Sequence, residues 1–327
     1  MTKPATEFSL DATQLELPRE TWAMRYPALA RFSRSTVAMI SLGVIIVLIF
    51  SAVLGPTLYG VDPTESIMDP KDPTGFTTMP ALQPPSWDHL AGTDFQSRDL
   101  FARLLLGAQI SLAVGFVSMF INLVIGVGVG TIAGWFGGKI DTFIMRIIDS
   151  LYSIPLLLIV INLQLFISPV LNRTLGEMEN LPFLLSPSLI SIYLALGVSN
   201  WLTMARLTRA EVMNIKNREF VMSSKALGAN PVRTLFLHVL PNCMAPLIIA
   251  ATLAIPEAIF VEAFLSFIGI GVPEPLASWG SLAQDSLKNI STPHTLVAPA
   301  LAISVTMLAF NLFGDGLRDA FDPKAAK

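Results

Sequence analysis

Stretches of about 20 or more mostly apolar residues recur along this 327-residue chain, far more than one soluble core would need. Only a helix or a closed barrel satisfies its backbone polar groups where no water reaches, and a helix needs roughly 20 apolar residues to cross a hydrocarbon layer about 30 Å thick. Crossings are expected near 37–58, 105–135, 143–168, 184–205, 243–270 and 295–314. The chain is therefore expected to be an all-α integral membrane protein with about six transmembrane helices. The second stretch is long for one crossing, so Asp99 to Ser111 can be set apart as an amphipathic helix at the interface, and five or seven crossings also fit. The first stretch, Val37 to Leu58, is too long and too far along to be a cleaved signal and is expected to stay as an anchor. Composition agrees: 53% of residues are hydrophobic, 14% are charged, and the mean hydropathy of +0.62 is foreign to soluble domains.

Charge placement says more than the net charge of -3, which itself gives no basic excess to attract nucleic acid. Lys3, Arg19, Arg25, Arg31 and Arg34 precede the first span, Lys139 and Arg146 lie between the second and third, and Arg318, Lys324 and Lys327 follow the last. Arg206, Arg209, Lys216, Arg218, Lys225 and Arg233 lie between the fourth and fifth, which brings this side to sixteen basic residues. Only Lys71, Arg98, Arg103, Arg173 and Lys288 fall on the other side. By the positive-inside rule both termini are cytoplasmic. The segment Gly60 to Pro85, rich in Pro, Asp and Thr, then reads as an irregular external loop.

Two stretches carry local structural signals. Gly126, Gly130, Gly134 and Gly138 recur at four-residue spacing and give one helix face with no side chains, along which another helix can pack closely. The connection 206–240 is too polar to cross. Glu219 to Leu227 has helix-favouring composition, Gly228 suits a left-handed cap, and Asn230-Pro231 suits a helix start, which predicts a helix, a tight turn and a second helix. The second helix would present Val232, Leu235, Phe236 and Val239 on one face before Pro241. Such a pair suits either docking to a cytoplasmic partner or a hairpin packed on its own chain.

Catalysis finds no footing. The one cysteine, Cys243, has no partner for a disulfide, the histidines His89, His238 and His294 are scattered, and Gly138-Lys139 lacks the upstream glycine of a phosphate loop. Asp149, Glu257 and Glu262 are ionisable groups inside apolar stretches, which suits proton or ion coupling, hydrogen bonding between helices, or a place near an aqueous cavity. Pro155 and Pro187 are expected to kink their helices.

The stretch Glu219-Phe220-Val221-Met222-Ser223-Ser224-Lys225-Ala226-Leu227-Gly228-Ala229, running on through Pro231 to His238-Val239-Leu240-Pro241-Asn242, resembles the EAA loop of binding-protein-dependent ABC importer permeases. It departs at the namesake positions, where Met222-Ser223-Ser224 stand for Glu-Ala-Ala, and keeps Gly228. Three more stretches are similar to the C-type subunit of the oligopeptide and dipeptide permeases: Leu90 to Asp94 with Arg98-Asp99-Leu100, Glu262 to Val272 with Ser278-Trp279-Gly280, and Phe310 to Asp319. The resemblance implies a type I importer permease fold, with a cytoplasmic segment 1–36, an anchor 37–58, an external loop 59–102, a permease core 103–316 containing a coupling loop 206–240, and a cytoplasmic tail 317–327. It further implies a chain in the cytoplasmic membrane with no cofactor of its own. Its partners would be a homologous permease, two ATPase subunits that use ATP and Mg, and an external solute-binding protein that delivers di- or oligopeptides. The coupling residues would be Glu219, Phe220, Met222 to Ala229 and Pro231. Similar subunits carry nickel, glutathione and some sugars, and a secondary transporter or a membrane scaffold or receptor are the other readings.

The orientation is testable. After Cys243 is replaced, a thiol introduced by Asn217→Cys is expected to escape a membrane-impermeant probe in intact cells and to react once the membrane is opened. Labelling in intact cells would reverse the assignment.

Overall fold

The computed structural model describes residues 27–67, 80–175, 182–287 and 291–322. Lys3, Arg19, Arg25, Lys71, Lys288, Lys324 and Lys327 of the charge pattern, and residues 68–79 of the external loop, lie outside them. The helices are α1 (Pro27–Arg34), α2 (Thr36–Tyr59), α3 (Leu100–Phe136), α4 (Gly138–Tyr152), α5 (Leu156–Leu175), α6 (Pro187–Lys216), α7 (Glu219–Ala226), α8 (Pro231–Phe267), α9 (Trp279–Ser286) and α10 (Pro293–Phe321). Six of them, α2, α3, α5, α6, α8 and α10, are long and apolar enough to cross a bilayer. Arg31 donates from Nη1 to the Asp322 carbonyl at 2.7 Å, so the first and last described segments meet at one end of the bundle.

Several expectations need correction. Asp99 to Ser111 is no separate interfacial helix. It is the start of α3, capped by Asp99, and Leu100, Ala102, Arg103, Leu106, Gly107 and Ile110 are buried in protein, leaving no face for a membrane surface. The stretch 143–168 is two helices. Pro155 lacks an N–H and disfavours helical backbone at Ile154, so it separates α4 from α5 instead of kinking one helix. Pro187 is the first residue of α6, where its missing N–H costs nothing. α6 runs on to Lys216 and α8 starts at Pro231, so of the expected loop 206–240 only 217–218 and 227–230 lie outside helices. Pro241 does not end the second helix of that loop either. A five-residue π turn, Leu235–Val239, directly precedes it, and the wider turn accommodates the proline so that α8 continues to Phe267.

α3 and α6 form the most extensive helix pair, and glycine is the reason. A Cβ on Gly126 would lie 2.5 Å from Met204 Cβ, one on Gly130 would strike the Ala205 carbonyl and Thr208 Cβ, and one on Gly134 would lie 2.9 Å from the Arg209 carbonyl. Gly138 is not part of this face: α3 ends at Gly137, and Gly138, with φ +55° and open space around it, begins α4. On the far side of α3, Ile45 and Ala52 of the anchor α2 join Leu112, Ile255, Ile259, Trp279 and Phe310 in one apolar core. Trp279 Nε1 donates to the Leu104 carbonyl at 3.1 Å, which fixes short α9 against the start of α3.

Gly130→Leu is expected to separate α3 from α6, since overpacking a closed seam costs about 1–3 kcal/mol and here meets backbone, which cannot rotate away. The yield of folded protein in mild detergent should fall severalfold. Wild-type yield and thermal stability for this variant would rule out the seam as a close backbone contact.

Candidate functional site

The expected helix, turn and helix lie at the end of the bundle where α6 stops. Only Asn217 and Arg218 separate α6 from α7, so α6 dictates where α7 sits. α7 closes in a Schellman motif: Gly228 N–H donates to the Lys225 carbonyl at 3.0 Å and Ala229 N–H to the Ser224 carbonyl at 3.1 Å, with Gly228 at φ +84°. Asn230 Oδ1 accepts from Val232 N–H at 2.9 Å and caps α8, with Pro231 in its first turn.

One side of this unit is anchored and the other is bare. Val221 is buried with Val212, Ile215, Val239, Cys243 and Leu247. Phe220, Met222, Leu227, Val232 and Phe236 point outward, Leu227 with 89% of its surface free. Glu219, Ser223, Lys225, Ala226, Gly228 and Pro231 are exposed, and Ser224 and Ala229 half-buried. The face predicted for the second helix is therefore split: Leu235 and Val239 pack inward while Val232 and Phe236 face out, because the π turn rotates the register between them.

A set of cations on α6 fastens this end. Lys216 Nζ donates to the Gly134 carbonyl at 2.5 Å, placing a positive charge on the unsatisfied C-terminal carbonyls of α3. Arg209 grips both carboxylate oxygens of Asp141 on α4, Nη2 to Oδ2 at 2.6 Å. The Arg209 hydrogen bonds hold the Asp141 carboxyl below the usual carboxylate range. Arg206 pairs with Asp149 at 2.5 Å and lies over the Tyr152 ring, 4.0 Å from its centroid. Asp149 is exposed, paired with Arg206, and lies on α4, which is not one of the six helices long and apolar enough to cross a bilayer. The charge pattern marks these basic residues but not their partners. The signal available was Asp141 and Asp149, eight apart on one helical face opposite Arg206 and Arg209.

At the other end the polar groups are buried. Asp94 accepts from Arg98 Nε at 2.8 Å and Arg103 Nη1 at 2.5 Å, and Arg103 lies 3.8 Å from Asp285. Burial raises the Asp94 carboxyl, but the Arg98 N–H and the two guanidinium groups outweigh it and hold the acid below its usual range. Glu262, fully buried on α8, accepts from Ser266 Oγ at 2.7 Å and from Ser111 Oγ on α3 at 3.2 Å, so it bonds between helices. A cleft of about 660 Å³ opens beside these groups, lined among others by Arg103, Gln164, Ser266, Glu274 and Gln284. The burial of Arg103 was not foreseen. Among the described residues no group of three or more His, Cys, Asp and Glu could hold a metal ion.

Residues 126–327 match the family described as binding-protein-dependent transport system inner membrane component, and residues 26–85 match the N-terminal TM domain of oligopeptide transport permease C. The chain is 38% identical to an oligopeptide transport system permease protein of Bacillus subtilis (strain 168), over 100% of this chain and 98% of that one. It is 40% identical to a dipeptide transport system permease protein of the same organism, over 94% of this chain and 91% of that one. A solved structure of the MetNI methionine ABC transporter, in an inward-facing conformation, superposes with a TM-score of 0.52 at 20% identity, covering 66% of this chain and 95% of that one. That likeness shows a shared fold.

The Arg209 fork predicts an acid dependence. Because the Asp141 carboxyl is depressed in the folded chain, its stabilisation is complete above the ordinary carboxylate value near 4 and is lost as pH falls through the depressed value. Asp141→Asn is expected to cost about 1 kcal/mol at pH 7. The melting temperatures of wild type and variant, measured in detergent, should converge below pH 4. A constant gap from pH 7 to pH 3 would remove the pair from the account.

Proposed function

The chain belongs to the family of binding-protein-dependent transport system inner membrane components, and from that premise we propose that it is one of two permease subunits of an ATP-driven importer for di- and oligopeptides. It is a multi-pass membrane protein. The peptide substrate is supported by relatives matched over nearly their full length and named as oligopeptide and dipeptide permeases. Nothing in the chain favours nickel, glutathione or proton-coupled transport over that reading.

The observation that carries the mechanism is the bare apolar face of α7 and the turn after it. Leu227, Met222, Phe220, Val232 and Phe236 are exposed together where α6 ends and α8 begins, with Arg218, Lys225 and Arg233 near them in the chain. Their exposure is compensated when a cytoplasmic ATPase subunit covers them. In this proposal α7 sits in a groove of that subunit and both chain termini share its side of the membrane. Closure of an ATPase pair on ATP moves α7, and the two permeases rock between inward- and outward-open states around peptide delivered by an external binding protein. With Met222, Ser223 and Ser224 at its centre, α7 docks by shape and apolar contact more than by an ion pair.

Gly228→Val tests this. A β-branched residue at φ +84° is strained by about 1 kcal/mol or more, so α7 should be misplaced while the spans stay intact. The variant is expected to accumulate in the membrane, to lose peptide uptake, and to lose stimulation of ATP hydrolysis by the loaded binding protein. Wild-type uptake together with wild-type stimulation would show that α7 is not the coupling element.

A further inference from the structure

α7 touches a helix far from it in the chain. Lys225 Nζ lies over the Trp135 ring near the end of α3, 4.9 Å from its centroid. An ammonium is attracted to the negative face of an aromatic ring, and indole attracts it best. Lys225 follows buried Val221 by four residues, so both stand on the side of α7 that meets the bundle, while Phe220, Met222 and Leu227 are exposed. Lys225 thus belongs to the inner side of α7.

The ring it meets is firmly set. Trp135 is half-buried and packs on the core that holds Val212, Ile215 and Val221. Its carbonyl lies 3.4 Å from Lys216 Nζ, the same ammonium that donates to the Gly134 carbonyl. α3 has no basic residue in its own last turn, so a lysine from α6 and a lysine from α7 supply the positive charge that a helix C-terminus favours. One lysine holds the backbone there and the other holds the ring.

α3 is built to carry what it receives. Its 37 residues include no proline, whereas α2, α5, α8 and α10 each have proline inside the helix, which removes a backbone hydrogen bond. It is therefore one uninterrupted rod of roughly 55 Å. Trp135 lies at one end of the rod, and at the other Arg103 lines the large cleft.

We propose that Trp135 is a positioning residue of the transporter: gripped by Lys225, it passes a displacement of α7 straight into α3, and through α3 to the far cleft. This rests on the reading of α7 as the coupling element.

The test uses the complete importer with its ATPase subunits and binding protein, and reads peptide imported and ATP hydrolysed in one sample. Trp135→Leu keeps an apolar group on the core and removes the ring, and Lys225→Met keeps the stem and removes the charge. Each is expected to raise the ATP hydrolysed per peptide imported severalfold, while Trp135→Tyr and Lys225→Arg stay close to wild type. Both single changes break the same contact, so the double variant should be no worse than the more affected single one. A purely structural role would lower the amount of complex, or uptake and hydrolysis together, and leave that ratio unmoved. An unmoved ratio in Trp135→Leu, or effects that multiply in the double variant, would overturn the proposal. If Trp135→Leu does not accumulate, exposed Lys225 carries the test, and equal ratios for Lys225→Met and Lys225→Arg would overturn it as well. Gly228→Val is measured alongside. Wild-type behaviour of that variant defeats the coupling reading itself, whereas an uncoupled Gly228→Val beside a normal Trp135→Leu defeats the role of Trp135 alone.

Discussion

The close approach of α3 and α6 is the constraint on which the rest of the structure hangs. In lipid, apolar surface gives no net drive for helices to meet, so packing and hydrogen bonds must do it. Gly126, Gly130 and Gly134 let the two backbones nearly touch. The same seam brings Lys216 to the last carbonyls of α3, and Lys216 is the final residue of α6. Since α7 begins after two more residues, its position descends from the glycine seam through that ammonium group.

The two ends of the bundle handle charge differently. Around α7 the pairs Arg206 with Asp149 and Arg209 with Asp141 remain partly open to solvent. Such pairs are individually weak and can loosen without a large penalty. At the other end Asp94, Arg98 and Arg103 are buried together, and removing one partner would leave an uncompensated charge. That cluster fixes geometry: Asp99 caps α3 by accepting from Ala102 N–H while its other oxygen takes the Tyr59 hydroxyl, so the anchor helix and α3 share one carboxylate.

Signals that are local in the chain were legible in advance, and those that depend on a distant partner were not. Length and hydropathy gave the number of spans and located all but the third, which was set at 143–168 and lies at Leu156–Leu175, and the four-residue glycine spacing marked the α3 face until α3 ended at Gly137. The left-handed Gly228 and the Asn230 cap act within a few residues of themselves, so composition predicted them. Prolines show the limit. Pro155 divides two helices, whereas Pro241 is carried inside one after a π turn, and Pro56, Pro169, Pro246, Pro256 and Pro299 are carried inside helices without one. Arg206, Arg209 and Lys216 looked like loop residues because polarity was weighed without Asp141, Asp149 and the α3 carbonyls. Glu262 was visible as a costly group, but its serine partners, one of them on α3, came together only through packing.

The π turn then takes on a mechanical meaning. α8 begins at exposed Pro231 beside α7, passes Glu257, and ends at Phe267 just before the glycine turn that lines the cleft at the far end. At 1.5 Å per residue it is a rod of roughly 55 Å joining all three places. Below Pro241 the rod is held by Leu235 and Val239, and above it by Glu262 and its serines. If force enters at α7, the segment best able to yield is the wide turn that carries the first anchor, where the helical ladder is already irregular. A displacement of α7 would then reach Glu257 as a rotation of the long upper segment about Leu235–Val239, which changes what exposed Phe260 faces without breaking the seam between α3 and α6.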